Sequence, residues 1–196
     1  MSILVIAEHD NEEIKASTNN VVTAATNLDG DIHVLVAGSN CSGAKDQATK
    51  IAGVAKVLVA DSPEYEHCLA ENIADLIVAI SADYTHILSP ATTNGKNYMP
   101  RVSALLDVAQ ISDITAIESS DTFERPIYAG NCIATVQNSD SKKVITVRTT
   151  AFDTAQNDGS AEVVDLQESH NLGISEFIKE EIAESDRPEL TAADVI

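Results

Sequence analysis

Basic residues are scarce in this sequence of 196 residues, which has 12 lysines and arginines against 31 aspartates and glutamates, a formal net charge of −19. A general nucleic-acid binder needs a basic surface to displace the counterions of the phosphate backbone, so this composition excludes that class. Attachment to anionic membranes is disfavoured for the same reason. Residues 151–196 carry 12 of the acids against only Lys179 and Arg187. They form either a solvated tail or an acidic surface for a basic partner.

Tryptophan is absent and aromatic residues make up only 4% of the chain. The core must therefore be built from Ile, Val, Leu and Ala, as in parallel α/β sheets. The three cysteines, Cys41, Cys68 and Cys132, lie far apart and form no C-x-x-C pair, which indicates reduced thiols. No apolar run approaches the length of about 20 residues that crosses a bilayer. With no targeting pattern at the start, the sequence predicts a cytoplasmic protein without direct membrane insertion.

Short β-branched runs alternate with amphipathic segments through the first 118 residues. The predicted strands are 3–7, 32–38, 55–61, 85–91 and 111–118. The predicted helices are 10–28, 42–53, 69–80 and a fourth that begins after a cap at Thr92 or Thr93. This alternation predicts an α/β fold, a three-layer parallel sheet flanked by helices on both faces.

The pattern changes after residue 122, where two strand-like runs follow each other without a helix. They are RPIYAGNCIATVQ and KKVITVRTTAF, and the NSDSK between them predicts a hairpin loop. We expect an antiparallel hairpin added to the sheet or projecting from it. Residues 153–170 are polar and predicted to be irregular, whereas Ile174, Phe177, Ile178 and Ile182 fit either a helical face or an extended arm. The predicted division is a scaffold domain, 1–165, and an acidic linker arm, 166–196.

Ligands of open parallel sheets bind beyond the carboxyl ends of the strands, so the loops after the first and fourth strands are the candidates. The first loop, AEHDNEE at 7–13, has no glycine, and its acids would repel phosphate. As the first turn of a helix, those acids are explained by the helix dipole. The second loop, SPATTNGKN at 89–97, departs from a P-loop, because Pro90 and Asn97 replace a required Gly and Ser/Thr.

The five histidines show no paired spacing, so the sequence predicts neither a metal site nor a catalytic residue. His9 is expected to be solvated in its loop. His86 lies inside a predicted strand and is expected to be a hydrogen-bonded core residue.

The hairpin region concentrates four residues that suit a protein interface: Arg125, Tyr128, Asn131 and Arg148. The two arginines can stabilise the fold by pairing with local acids such as Asp121 or Asp153. Alternatively, the four residues form a docking face for another domain or subunit, where Arg and Tyr are frequent anchors. The sequence leaves both interpretations open.

Four stretches, taken in order, resemble a known family. NGKNYMPRVSALLDVAQISDITAI, RPIYAGNCIATV, VITVRTTAF and ESDRPELTAADVI are similar to the N-terminal portion of the alpha subunits of electron transfer flavoproteins. The similarity runs from ILVIAEHDN to the last residue, Ile196. The resemblance implies a three-layer α/β domain related to the adenine-nucleotide hydrolases and universal-stress proteins. It also implies a second domain that supplies most of the FAD site.

The closing ADVI resembles the start of that second domain's first strand, so we expect the FAD contacts to lie beyond Ile196. No FAD or AMP is then expected on this part, and no cofactor-binding residue can be assigned. Whole family members are heterodimers that pass electrons through FAD from acyl-CoA and other dehydrogenases of fatty acid β-oxidation to a membrane quinone oxidoreductase. The resemblance implies a scaffold, not itself an enzyme, that pairs with the beta subunit and supports the flavin domain. The alternative is a free-standing nucleotide-binding domain of the universal-stress type.

Overall fold

The computed structural model describes residues 2–167 and 169–181, which form ten strands and four α-helices, besides four single turns of 3-10 helix. In chain order they are β1 (Ser2–Ile6), α1 (Ala16–Ala25), β2 (Asp31–Gly38), α2 (Ser42–Ala48), β3 (Val54–Asp61), α3 (Ala70–Ile80), β4 (Tyr84–Pro90), α4 (Thr93–Leu105), β5 (Gln110–Ile114), β6 (Ala116–Ile117), β7 (Thr122–Ile127), β8 (Cys132–Gln137), β9 (Lys143–Val147) and β10 (Glu162–Asp165). Among the described residues, no helix is long and apolar enough to cross a membrane.

Seven of the strands form one parallel sheet in the order β10-β3-β2-β1-β4-β9-β5. Its two faces bury separate apolar cores, and alternate residues of β1 enter each of them, as a strand's period of two requires. Helices α1 and α2 cover one face, and α3 and α4 cover the other. The predicted three-layer α/β fold is confirmed, with β9 and β10 as additional strands of the sheet.

The predicted antiparallel element exists, but its pairing differs from the prediction. β7 pairs with β8 within the first strand-like run, and the chain turns between them at Tyr128, Ala129 and Gly130, which all have positive φ. β9 instead enters the main sheet between β4 and β5, parallel to both. The hairpin loop predicted at NSDSK is therefore wrong. Residues 144–147 are fully buried, as is typical of an interior parallel strand, and this accounts for their apolar run.

The strand predicted at 111–118 is divided between two sheets. β5 pairs with β9 in the main sheet, whereas β6 pairs with β7 in a three-stranded antiparallel sheet of order β6-β7-β8. The backbone is irregular between them, since Asp113 has a φ of 60°. Phe123 of β7 is fully buried in the core on the α1 face, and Val136 of β8 packs against the same core. The small sheet is therefore attached to the main sheet by apolar packing.

The end of the described chain leaves the sheet as an extended arm. β10 pairs with β3 at the edge of the sheet, a strand that was missed in the segment predicted to be irregular. Residues 169–181 form neither helix nor strand, so of the two predicted conformations the extended arm is observed.

Two sequence predictions fall on residues outside the described part of the chain. Ile182, assigned to the apolar face of the arm, is one of them. The other is the closing run that ends at Ile196, interpreted as the start of a further strand. The expectation that the FAD contacts lie beyond Ile196 and the domain boundary at 165/166 both stay predictions.

His86 is a buried, hydrogen-bonded residue, as predicted. Its Nε2 donates to the carbonyl oxygen of Ser120 at 2.7 Å, and its Nδ1 accepts from the hydroxyl of Thr85 at 2.9 Å. The neutral ring therefore satisfies both of its nitrogens. Burial lowers the pKa of His86 below its usual value of 6.5, although the bond to Ser120 acts in the opposite direction. The contact joins β4 to the chain just before β7.

We expect the free energy of unfolding to fall as the pH is lowered from 7 to 5. Unfolded His86 takes up a proton near pH 6.5, while the folded protein holds it neutral to a lower pH, so acid favours unfolding. Burial also lowers the pKa values of His9 and His33 and adds to the same trend. Urea denaturation at pH 7, 6 and 5 measures the slope, which should be shallower in His86→Gln. An equal slope in the variant would contradict the assignment.

Candidate functional site

A small crevice opens at the carboxyl ends of β1 and β2 and is bordered by α4, the helix that follows β4. The strand order of the sheet reverses between β1 and β4, so the crevice lies next to this switch point. This is the place where open α/β sheets bind their ligands. The crevice has a volume of about 80 Å³ and is lined by Glu8, His9, Asn11 and Tyr98, among others. Pockets for small ligands measure roughly 300–1,000 Å³. The geometry of this crevice therefore does not favour a nucleotide.

The carboxylate of Glu8 lies beside the first turn of α4, where a phosphate binds in many α/β proteins. Its Oε1 accepts from Asn94 Nδ2 at 3.4 Å and its Oε2 accepts from Ser17 Oγ at 2.8 Å. The hydroxyl of Thr92 accepts from the Gly95 amide, which confirms the predicted cap of this helix. A negative side chain is stabilised beside a helix N-terminus and repels a second anion. The Glu8 carboxylate therefore takes the place of an anion beside the start of α4.

The acids predicted for the first turn of a helix belong instead to a loop, because α1 begins at Ala16 and has no acid in its first turn. Asp10 organises this loop. Its carboxylate bonds the ammonium of Lys15 at 2.5 Å and accepts from the amides of Glu12 and Glu13. The bond to Lys15, followed by those to the amides, lowers the pKa of Asp10 to about 2. Hydrogen bonding within the loop, and not the helix dipole, therefore accounts for Asp10.

His9 is partly buried in the crevice, so the expectation of a solvated ring is wrong. Its Nδ1 accepts from the Asn11 amide at 3.1 Å, and burial lowers its pKa. Across residues 2–167 and 169–181, no three His, Cys, Asp or Glu side chains lie in a group that could hold a metal.

The two arginines singled out in the sequence both have intramolecular partners near β5. Arg125 Nε donates to the carbonyl oxygen of Ser112 at 2.9 Å. Arg148 forms an ion pair with Asp113, which raises the pKa of the guanidinium. Asp113, and not Asp121 or Asp153, is therefore the acid that pairs with an arginine here. Both contacts stabilise the irregular stretch through which the chain passes from the main sheet to the small sheet.

Tyr128 and Asn131 lie apart from that stretch, in the turn that joins β7 to β8. The side chain of Tyr128 is 78% exposed, and the amide of Asn131 donates to the Tyr128 carbonyl oxygen at 3.1 Å. The structure thus divides the four predicted residues into two pairs. The arginines stabilise the attachment of the small sheet, whereas Tyr128 and Asn131 face solvent at its turn.

The outer side of β8 is an open edge of the small sheet, because no described strand pairs with it. The carbonyl oxygens of Thr122 and Glu124 accept hydrogen bonds from the β6 side, at 2.9 and 2.8 Å. Backbone groups of a strand alternate in direction, so Phe123, Arg125 and Ile127 are the residues of β7 that face β8.

On β8, the partners of those three residues are Cys132, Ala134 and Val136. The amides and carbonyls of the intervening Ile133 and Thr135 consequently point away from β7, toward the open edge. Within the described part of the chain these donors and acceptors have no backbone partner, so the edge can accept a further strand.

This edge lacks the features that normally prevent pairing with another chain. Exposed edge strands are usually protected by charged residues, proline or bulges. β8 contains none of these along Cys132–Gln137, and Ile133 is 56% exposed. None of the sequence predictions covers this surface, although residues 126–137 are entirely uncharged in a chain with 22% charged residues. That gap in the charge pattern was the available signal.

The chain is similar to known proteins over its whole length. The family model described as "Electron transfer flavoprotein domain" matches residues 3–171. "Electron transfer flavoprotein subunit alpha" of Pseudomonas aeruginosa is 57% identical, over 100% of this chain and 64% of the relative. The protein of the same name from Paracoccus denitrificans is 50% identical, over 98% and 63%. The mitochondrial one from Dictyostelium discoideum is 48% identical, over 98% and 59%. The chain thus spans about three fifths of the length of these relatives.

Proposed function

Because the chain belongs to the electron transfer flavoprotein family, we propose that it acts as the scaffold domain of an alpha subunit. It pairs with a beta subunit and supports a flavin-binding domain that follows Ile196. The whole heterodimer would carry electrons, through FAD, from acyl-CoA and other dehydrogenases to a membrane quinone oxidoreductase in the respiratory chain. In this division of labour the residues described above provide docking, and the redox chemistry belongs to the flavin.

Three cavities among the described residues are small beside FAD. The crevice next to the switch point has about 80 Å³, and two further cavities have about 290 and 310 Å³. Even drug-sized ligands occupy pockets of roughly 300–1,000 Å³, and FAD is larger than most of them. The carboxylate of Glu8 moreover lies beside the first turn of α4, where it would repel a pyrophosphate. We therefore assign no flavin contact and no redox step to these residues.

The observation that carries the proposal is the open, uncharged edge of β8. A strand of the partner that adds to this edge would use the outward amides and carbonyls of Ile133 and Thr135, which gives affinity through main-chain hydrogen bonds. Tyr128 and Asn131 lie at one end of the same edge, where an exposed tyrosine serves as an anchor. In this proposal Tyr128 and Asn131 contact the partner directly. Arg125 and Arg148 act indirectly, because they hold the small sheet in place.

The edge is suited to binding because it is held rigidly before any partner arrives. Phe123 and Val136 pack the small sheet onto the main core, and Arg125 joins it to the backbone of β5. A partner strand therefore does not need to order this surface, which lowers the entropic cost of association.

The test is co-expression of the whole chain with the beta subunit of a related electron transfer flavoprotein. We expect a one-to-one complex on size-exclusion chromatography. Thr135→Pro removes an outward amide while leaving the bonds to β7 intact, so it should weaken the complex by about tenfold or more. Thr135→Val is the matched control, since it keeps the amide and the branched side chain. Its affinity should stay within about twofold of the parent chain, as for a surface change of small effect.

The outcomes separate the parts of the proposal. If no complex forms with the parent chain, the scaffold function is wrong. A complex that tolerates Thr135→Pro would place the beta subunit elsewhere than on β8. Micromolar binding of ATP or AMP by this chain, measured by calorimetry, would support the free-standing nucleotide-binding domain instead.

A further inference from the structure

Residues 169–181, here called the strap, run along the outer face of α3 in the direction opposite to the helix. His170 lies nearest the middle of α3, where its Nδ1 lies 2.6 Å from Asp75 Oδ2. Farther along the strap, the Leu172 amide donates to Asn72 Oδ1 at 3.1 Å and the Ser175 hydroxyl to Glu71 Oε2 at 2.9 Å. The strap thereby reaches the start of α3.

Two further contacts extend this row onto the turn before α3. The amide of His170 donates to the Tyr65 hydroxyl at 2.9 Å. The ring of Phe177 stacks on His67, with centroids 3.6 Å apart and planes inclined by 15°. Since the turn before α3 follows the carboxyl end of β3, the docked strap brings the chain to the carboxyl edge of the sheet.

The strap is held by side chains and not by a backbone ladder. Across residues 169–181 as described, the backbone makes no hydrogen bond to another backbone group. Apolar burial is limited, because Leu172, Ile174 and Ile178 are 41%, 64% and 78% exposed. Phe177, at 37% exposure, is the most covered of the strap's large apolar side chains, through its stacking on His67. A segment with few buried apolar contacts and exposed hydrogen bonds opens at a small fraction of the free energy of global unfolding.

Release of the strap would leave the rest of the fold intact. The apolar side chains of α3 face the sheet, with Ile73 and Ile77 buried in the core away from the strap. Glu71 and Asp75 are already partly in contact with water, so water replaces the strap as their partner. Asn72 keeps its bond from Nδ2 to the Glu64 carbonyl oxygen. Release therefore breaks the polar row and frees the segment's conformational entropy, without opening a cavity.

We propose that the strap docks on and leaves α3 as a single unit, and so switches the position from which the chain continues beyond residue 181. When the strap is docked, that position lies beside the turn at 62–69, at the carboxyl edge of the sheet. When it is released, the position is limited only by the end of β10 and a tether of residues 166–181, which can reach about 50–60 Å. This inference does not depend on the proposed function.

Amide hydrogen exchange on the whole chain tests the proposal. The amides of His170 and Leu172 should exchange at least about 100-fold faster than those of the central strand β1, yet more slowly than in an unstructured chain. Asp75→Ala removes the partner of the His170 ring. If the strap moves as a unit, the Leu172 amide should also accelerate, by about fivefold, although its own acceptor is intact. Ser175→Ala should accelerate the His170 amide in the same way.

The matched control is Asp83→Ala, which removes a carboxylate from the turn after α3 without a described contact to the strap. It should leave the exchange of both strap amides unchanged. If only the His170 amide exchanges faster in Asp75→Ala, the contacts of the strap are independent of one another and the proposal is overturned. Strap amides that exchange at the rate of β1, or at the rate of an unstructured chain, would also overturn it. Urea denaturation of each variant distinguishes strap release from general loss of stability.

Discussion

Replacing Phe123 by alanine will lower the free energy of unfolding by about 3–5 kcal/mol, the usual cost of truncating a buried phenylalanine. Phe123 is one of the three phenylalanines of the chain and is fully buried. It lies opposite Val136 across the β7–β8 pair and enters the core between the main sheet and the small sheet. Its removal leaves a cavity at the place where the two sheets meet.

Urea denaturation monitored by circular dichroism measures this change. Phe177→Ala is the matched control, because the same side chain is truncated at a position where it is 37% exposed and lies on the strap. The control should lose less than about 1 kcal/mol. A loss below about 1 kcal/mol in Phe123→Ala would show that the small sheet does not depend on this ring. We also expect Phe123→Ala to weaken binding at the β8 edge, since the sheet that presents it is loosened.

Replacing Gly95 by alanine will destabilise the protein by about 2–3 kcal/mol, as overpacking of a tight contact does. Helix propensity alone would predict a gain, because alanine is favoured over glycine by about 1 kcal/mol inside a helix. The expected loss of stability therefore comes from the tight contact. A Cβ atom at Gly95 would lie 2.0 Å from the Pro90 carbonyl oxygen and 2.7 Å from Ser89 Oγ. β4 cannot move aside, since it is paired on both sides, with β1 and β9.

The control for this substitution is Lys96→Ala, one position farther along the same helical turn. Lys96 is exposed, so its truncation should change the free energy of unfolding by no more than about 0.5 kcal/mol. Thermal and urea denaturation of both variants make the comparison. A Gly95→Ala variant as stable as the parent protein would show that α4 can move away from β4 at little cost.

Local patterns predicted the first part of the fold because each element there is specified by its own residues. The stripe of Leu69, Ile73, Leu76 and Ile77 predicted α3 almost to its ends, and the cap expected at Thr92 or Thr93 predicted the start of α4. β9 was predicted as part of a hairpin because the Val and Ile residues of a buried strand do not specify which strand it pairs with. Only long-range packing shows that it enters between β4 and β5.

The candidate site was predicted only as a region. Arg125, Tyr128, Asn131 and Arg148 were identified together, but their roles depend on partners that sequence spacing does not reveal. Asp113 pairs with Arg148 from 35 positions away, and nothing local marks it for that role. The uncharged run 126–137 marks the segment that contains β8, but the open edge is a property of sheet order and depends on β9 lying elsewhere. The family was predicted from ordered motifs and is confirmed by the match across residues 3–171.

The position of β9 has a consequence for how this protein acquires its fold during synthesis. Among the described residues, β5 pairs only with β9 in the main sheet, and β9 follows it by about 30 residues that build the small sheet. Residues 110–114 therefore leave the ribosome without a sheet partner and wait until residues 143–147 have been made. Pairings between distant segments form slowly. The two strands beyond β4, β9 and β5, should consequently assemble late, and a chaperone that recognises exposed Ile and Val would find its target there.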